Sequence, residues 1–291
     1  LRLLLGAHLR RLREAQGLSQ GDAAHRIEAS EATLHRFEQG VGGLAPGDLA
    51  TLLTTYGVDE PEDRGRLAEL VDNFTSPRGW WHRQGDVLPS WFRSYLGVEA
   101  AAESIRVYEP QFIPAILRTI DYARHIAHLD PTSPTQAEIQ RRVDLHAARL
   151  QGLTHDRSIR IWAVVEETAL RRRVGDISVM RGQIQALLDN LQRPQVAIQV
   201  LPRQQAVLAV GPGFSILRFP HPDTFDLVFL EQLTSAIYLE QRADLDHYLA
   251  AMEQLCVKAN PPDQTADTLR AILRKLDAER SYVDSRTSVL E

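Results

Sequence analysis

Apolar residues recur at helical spacing through the first part of the chain, and strands are predicted only from Ile159 onward. Leu5, Leu9 and Leu12 share one face of a helix over residues 2–16, which Gly17 ends. Ser19 and Asp22 have capping-box spacing at the head of a second helix over residues 20–27, with Ala23, Ala24 and Ile27 turned inward. Those small alanines let another helix cross closely. Ser30 caps a third helix, which turns Leu34 and Phe37 inward and is closed by Gly40. Pro46 opens a fourth, with Leu49, Leu52 and Leu53 on its buried face and Gly57 at its end. A fifth is predicted over residues 61–73.

The stretch TSPRG, residues 75–79, reads as a domain boundary. Trp80, Trp81, Trp91, Phe92 and Tyr95 follow, an aromatic cluster that either packs a core or interface or lines an apolar pocket. Residues 104–108, ahead of Pro110, read as a helix end entering a turn. Helices are predicted over 116–129 and 136–153, separated by DPTSPT. Strands are predicted over 159–165, 196–201, 214–219, 224–230 and 236–239 as an antiparallel set. Helices over 179–191, 243–259 and 265–279 punctuate and follow them. The architecture is therefore multidomain: an all-α helix-turn-helix domain over 1–75, a larger α+β (mixed α/β) domain over 76–280, and a flexible tail over 281–291.

Charge changes the picture more than composition does. The chain has 291 residues, is 44% hydrophobic and carries a formal net charge of -5, which excludes a polybasic body. Residues 1–75 hold 8 Arg against 12 acidic residues, a net of -4 (8 − 12). Cys256 stands alone, so an internal disulfide or a metal site built on several thiolates is excluded, and a cytoplasmic setting fits. No apolar run approaches the roughly 20 residues of a membrane span. The opening LRLLLGAHLRRLRE reads as an amphipathic helix rather than a leader.

Two helices joined by a tight turn are a way to present one helix to the DNA major groove, where its exposed N-terminal residues read base edges. Here those residues are Ser30, Glu31, Ala32 and Thr33. Gln20 is placed to contact phosphate from the head of the preceding helix, and Arg36 to reach the backbone or to pair with an acid. Arg2, Arg10, Arg11 and Arg13 suggest a basic patch on the first helix. Plain surface polarity is the alternative for each.

Chemistry in the second domain is thin. Glu166 and Glu231 end predicted strands, and either form a carboxylate pair in one pocket or bridge to the run Arg171–Arg173. His82, beside Trp80 and Trp81, is an acid–base candidate; Tyr108 and Tyr238 complete the ligand-binding candidates. His221 reads as a turn residue. No catalytic motif is present, and no metal site, cofactor or catalytic residue is assigned.

The segment SQGDAAHRIEASEATLHRFEQ resembles the lambda-repressor-like, xenobiotic-response-element class of helix-turn-helix proteins. The segments GWWHRQGDVLPSWFRSYLGVEAAAESIRVYEPQFIPAILRT, RRVDLHAARL, IWAVVEETALRRRVGD, VAIQVLP and GPGFSILRFPHPDTFDLVFLEQLTSAIYLE resemble the actinobacterial regulators that join such a domain to a C-terminal DUF5753 domain. This resemblance spans nearly the whole chain in order. It implies a transcriptional regulator that binds double-stranded DNA, with Gln20 and the segment from Ser30 to Arg36 facing the DNA. A homodimer on a pseudopalindromic operator, controlled through the second domain by a small molecule or small partner protein, follows from that reading. A second reading keeps the helix-turn-helix as scaffold, with a pocket that binds or cyclises an apolar secondary metabolite without a cofactor. A third is a module that holds a small partner protein.

Overall fold

The computed structural model describes residues 2–39, 45–61, 64–65, 90–132, 134–155, 159–205, 212–219 and 226–287. These divide into two compact units, the first ending at Ala101 and the second beginning at Ala102. The boundary expected at residues 75–79 and most of the helix expected over 61–73 lie outside the described residues.

The first unit contains α1 (Arg2–Ala15), α2 (Gln20–Arg26), α3 (Glu31–Glu38), α4 (Pro46–Thr55) and α5 (Ser90–Ala101). Leu5 and Leu9 from α1, Ala23 and Ala24 from α2, Leu34 from α3, and Leu49, Leu52 and Leu53 from α4 make one buried cluster. Leu12, Ile27 and Phe37, expected inside, are partly buried at its margin. The alanines are 0% and 1% exposed, which is how α3 crosses α2 at short range. Within α5, the Phe92 and Tyr95 rings lie 6.0 Å apart, and Tyr95 donates to Glu99 at 2.9 Å.

The second unit is a mixed sheet with helices. Its strands are β1 (Ser104–Glu109), β2 (Arg160–Glu166), β3 (Val196–Leu201), β4 (Phe214–Arg218), β5 (Leu227–Glu231) and β6 (Ala236–Leu239), in the order β3-β2-β1-β4-β5-β6. β1, β2 and β3 run parallel, and β4 to β6 add antiparallel strands. The antiparallel set expected from the alternation is thus half of a mixed sheet. Long crossovers make the parallel half: α6 (Ile120–His128) and α7 (Gln136–His155) join β1 to β2, while α8 (Glu167–Arg171) and α9 (Ile177–Asn190) join β2 to β3.

Residues 104–108 are not a helix end but the central strand β1. Ile105 and Val107 are buried on one side, and on the other the Arg106 guanidinium lies 5.8 Å from the Trp162 ring centre. The helix expected over 116–129 is split. A single 3-10 turn at Ala115–Leu117 is followed by an extended Arg118, and Thr119 caps α6 by accepting from the Tyr122 N–H.

α10 (Arg242–Lys258) covers the face of the sheet that carries Tyr108, Val164, Phe214 and Val228. α11 (Pro262–Thr287) packs on α9 and β3. It continues past the expected end at residue 279, so residues 281–287 of the expected tail are helical. Arg181 pairs with Asp277 and Arg173 with Glu279, extending the attachment along the helix. At the β3 edge, Asn260 N–H donates to the Val200 carbonyl and Thr265 Oγ1 to that of Ile198. Among the described residues, no helix is long and apolar enough to cross a membrane.

Candidate nucleic-acid interface

Local chemistry fixes the helix-turn-helix at each joint. Ser19 and Asp22 form the reciprocal capping box of α2, and their hydrogen bonds hold the Asp22 carboxyl below its ordinary range. At the end of α2, the Ala29 N–H bonds the Ala24 carbonyl and the Glu28 N–H that of His25. This is the Schellman pattern, and it needs a left-handed residue at its centre. The same pattern ends α1 at Gly17 (φ +67) and α4 at Gly57 (φ +71). Between α2 and α3 the left-handed position is Glu28, with φ 53. Ser30 then caps α3 by accepting from the Thr33 N–H at 3.1 Å.

A second constraint sets how closely α1 and α3 approach. Gly6 is buried, and a Cβ there would stand 2.4 Å from the Phe37 carbonyl oxygen. Only the bare backbone fits.

Glu31, Ala32 and Arg36 are exposed on α3, with Ser30 at its head. His35 and Gln39 are exposed beside them, and the spacing i, i+1, i+4, i+5, i+8 from Glu31 makes one outward strip. His35 lies within the segment expected to face the DNA, and Gln39 extends the strip beyond it by the same helical spacing. Ser30 and Thr33 are more committed than expected, because their hydroxyls bond each other at 2.8 Å within the cap. Gln20 is not free either. Its amide donates to Glu38 at 2.8 Å and lies 3.3 Å from His35 Nδ1.

The basic patch expected on α1 is reduced by two pairings. Arg13 is buried and bonded to Glu38, which raises its affinity for its proton, and exposed Arg10 pairs with Glu14 at 2.8 Å.

The structure brings the second-domain candidates together in two pairs on opposite faces of the sheet, Tyr108 with Glu166 and Tyr238 with Glu231, and not in one site. Tyr108 donates to Glu166 at 2.6 Å, and Thr168 also donates to Glu166, at 3.1 Å. Burial, then this bond, pushes the Tyr108 hydroxyl above its ordinary range. Glu231 points to the opposite face, because Phe214 pairs with Tyr108 while Ser215 pairs with Phe229. Three strand spacings, roughly 14 Å, also separate β2 from β5. The Glu166–Glu231 carboxylate pair is therefore not formed. Nor does Glu166 take the bridge to Arg171, which Glu167 makes at 2.7 Å. Tyr238 shares the Glu231 face and packs against Phe229 with the rings tilted by 60° and their centres 5.3 Å apart. Trp80, Trp81, His82 and His221 lie outside the described residues.

A different carboxylate faces Glu231. Glu109 ends β1 on that side, over Gly213, where a Cβ would stand 2.8 Å from its Oε2. Burial raises the Glu109 pKa; the Arg118 guanidinium opposes this and Glu231 adds to it. Reading β1 as a helix end hid this residue, although it ends its strand as Glu166 and Glu231 end theirs.

Residues 92–271 match the family described as Domain of unknown function (DUF5753), and residues 4–67 match the Helix-turn-helix domain. The chain belongs to the DUF5753 family, with an N-terminal helix-turn-helix of the xenobiotic-response-element type. No curated protein and no solved structure matches it.

Proposed function

We propose that the protein is a sequence-specific transcriptional regulator. It acts as a homodimer, with one α3 in the major groove at each half of a pseudopalindromic operator. The observation that carries this reading is the exposed strip of α3, set on a completed helix-turn-helix core. The matched helix-turn-helix domain supports the same role. Glu31 accepts from a cytosine amino group, Ala32 meets a thymine methyl, and Arg36 contacts phosphate. Gln20 acts mainly by orienting His35. The second unit controls the first through a small molecule or small partner protein.

The net charge of -4 over residues 1–75 favours a second reading, a scaffold that has lost DNA binding and serves a metabolite pocket. Selection from the source organism's fragmented genomic DNA, at fixed moderate salt, separates the two. The regulator retains an inverted repeat, and Arg36→Ala lowers the slope of log affinity against log salt by about 1. Folded dimer that retains no sequence supports the scaffold instead.

A further inference from the structure

The second unit holds a cavity of ≈ 140 Å³ that contains none of the ligand candidates read from the sequence. Ile116, Leu117, Leu153, Ile159 and Val196 make its buried wall. Arg118 and Thr119 also line it, beside Leu117, but the Arg118 guanidinium is turned to the Ile113 carbonyl at 2.6 Å; the other polar lining residues, Asn190, Arg193 and Gln195, are partly exposed and carry the polar end to solvent. The wall is held in place. Gln183, 0% exposed, accepts from the Thr119 N–H at 2.8 Å and donates to the Leu117 carbonyl at 2.8 Å.

Arg193 is the informative residue. Its guanidinium donates to Asn190 Oδ1 at 3.3 Å and has no carboxylate partner among the described residues. A guanidinium at the mouth of an apolar cavity suits an anion whose body fills that cavity, because its planar donors match a carboxylate. Size sets the body. An engineered cavity of about 150 Å³ lined by aliphatic and aromatic groups takes up benzene.

We propose that this cavity binds a small organic monoanion, an aromatic or branched aliphatic carboxylate. Its ring or branch lies between Leu117, Leu153 and Ile159, and its carboxylate is on Arg193. Gln195 supplies a further amide at the mouth. Bound, the ligand braces the turn at Ala115–Leu117 against the first residues of β2 and β3. This gives a place and a chemical class to the small-molecule control proposed above, and rests on that reading only for its regulatory meaning.

The test uses the full chain without DNA, and benzoate and benzamide as probes, titrated by ligand-observed NMR. Saturable benzoate binding is expected, with benzamide about tenfold weaker or more. Arg193→Gln should lose a similar factor for benzoate and little for benzamide. Ala186→Leu, which fills the cavity from α9, should block both while leaving the circular dichroism spectrum unchanged. Absence of saturation, equal binding of the two probes, or benzoate binding that survives both substitutions would each overturn the site. Loss of this site with an operator still retained leaves the regulator reading standing. Benzoate binding without a retained operator removes that reading and keeps the site.

Discussion

Arg13 and Glu38 form a bidentate ion pair inside the first unit, Nε to Oε1 at 2.6 Å and Nη2 to Oε2 at 3.1 Å. Their side chains are 7% and 2% exposed, and the pair ties α1 to the last turn of α3. Arg13 also donates to the Leu18 carbonyl at 2.7 Å, and Gln20 donates to the same Glu38 carboxylate. One buried acid therefore fixes the positions of α1, α2 and α3.

Breaking such a pair from one side leaves a buried charge alone. Arg13→Ala is expected to cost about 3–5 kcal/mol in urea unfolding followed by helical circular dichroism. Replacing Arg13 and Glu38 together by Met and Leu should cost much less. Equal losses in the single and double variants would contradict the account of the pair.

Gly6→Ala forces a methyl into the Phe37 and Glu38 carbonyls. A loss of about 1–3 kcal/mol is expected, with α1 and α3 displaced. Gly47→Ala is the control, since a Cβ there meets nothing within 4 Å. Thermal unfolding of the two variants compares them directly.

Glu28 occupies a position that Gly17 and Gly57 fill at the other two helix ends. Relief of its left-handed strain outweighs the extra freedom glycine gives the unfolded chain, so Glu28→Gly should stabilise by about 0.5–1 kcal/mol. Glu28→Val should destabilise by about 1–2 kcal/mol, because a β-branched residue tolerates positive φ worst. Midpoints of urea unfolding read both.

Glu109 gives the second unit a pH dependence of definite sign. Its pKa is raised in the folded state, by burial first, so folding takes up protons from the ordinary carboxylate range upward. The ionised form opposes folding at neutral pH, and the penalty disappears as pH falls to the unfolded value. Glu109→Gln is therefore expected to raise Tm at pH 7 and to leave it nearly unchanged at pH 4. A gain independent of pH would show that packing, not charge, is responsible.

The helices of the first unit were legible because each carries its own start and stop: Ser19 with Asp22, Ser30, Pro46, Gly17 and Gly57. The sheet was less so. β1 has only Ile105 and Val107 as a clear alternating pair, and its strand character is completed by Trp162, more than fifty residues away, under Arg106. Glu166 and Glu231 looked alike as strand ends. Their opposite faces follow from pairings of β2, β1, β4 and β5, and no local pattern carries that parity. The commitment of Gln20 and Arg13 to Glu38 was hidden for the same reason, since it depends on how three helices meet.

The central claim is that α3 reads the major groove as one of a symmetric pair. Methylation interference on the fragment retained from genomic DNA tests it most directly, because guanine N7 lies in that groove. Two clusters of blocked guanines, about 10 base pairs apart and unchanged in position in the more weakly binding Arg36→Ala, are the expected result. A fragment whose binding is indifferent to guanine N7 methylation, or one protected at a single unrepeated site, would contradict the account.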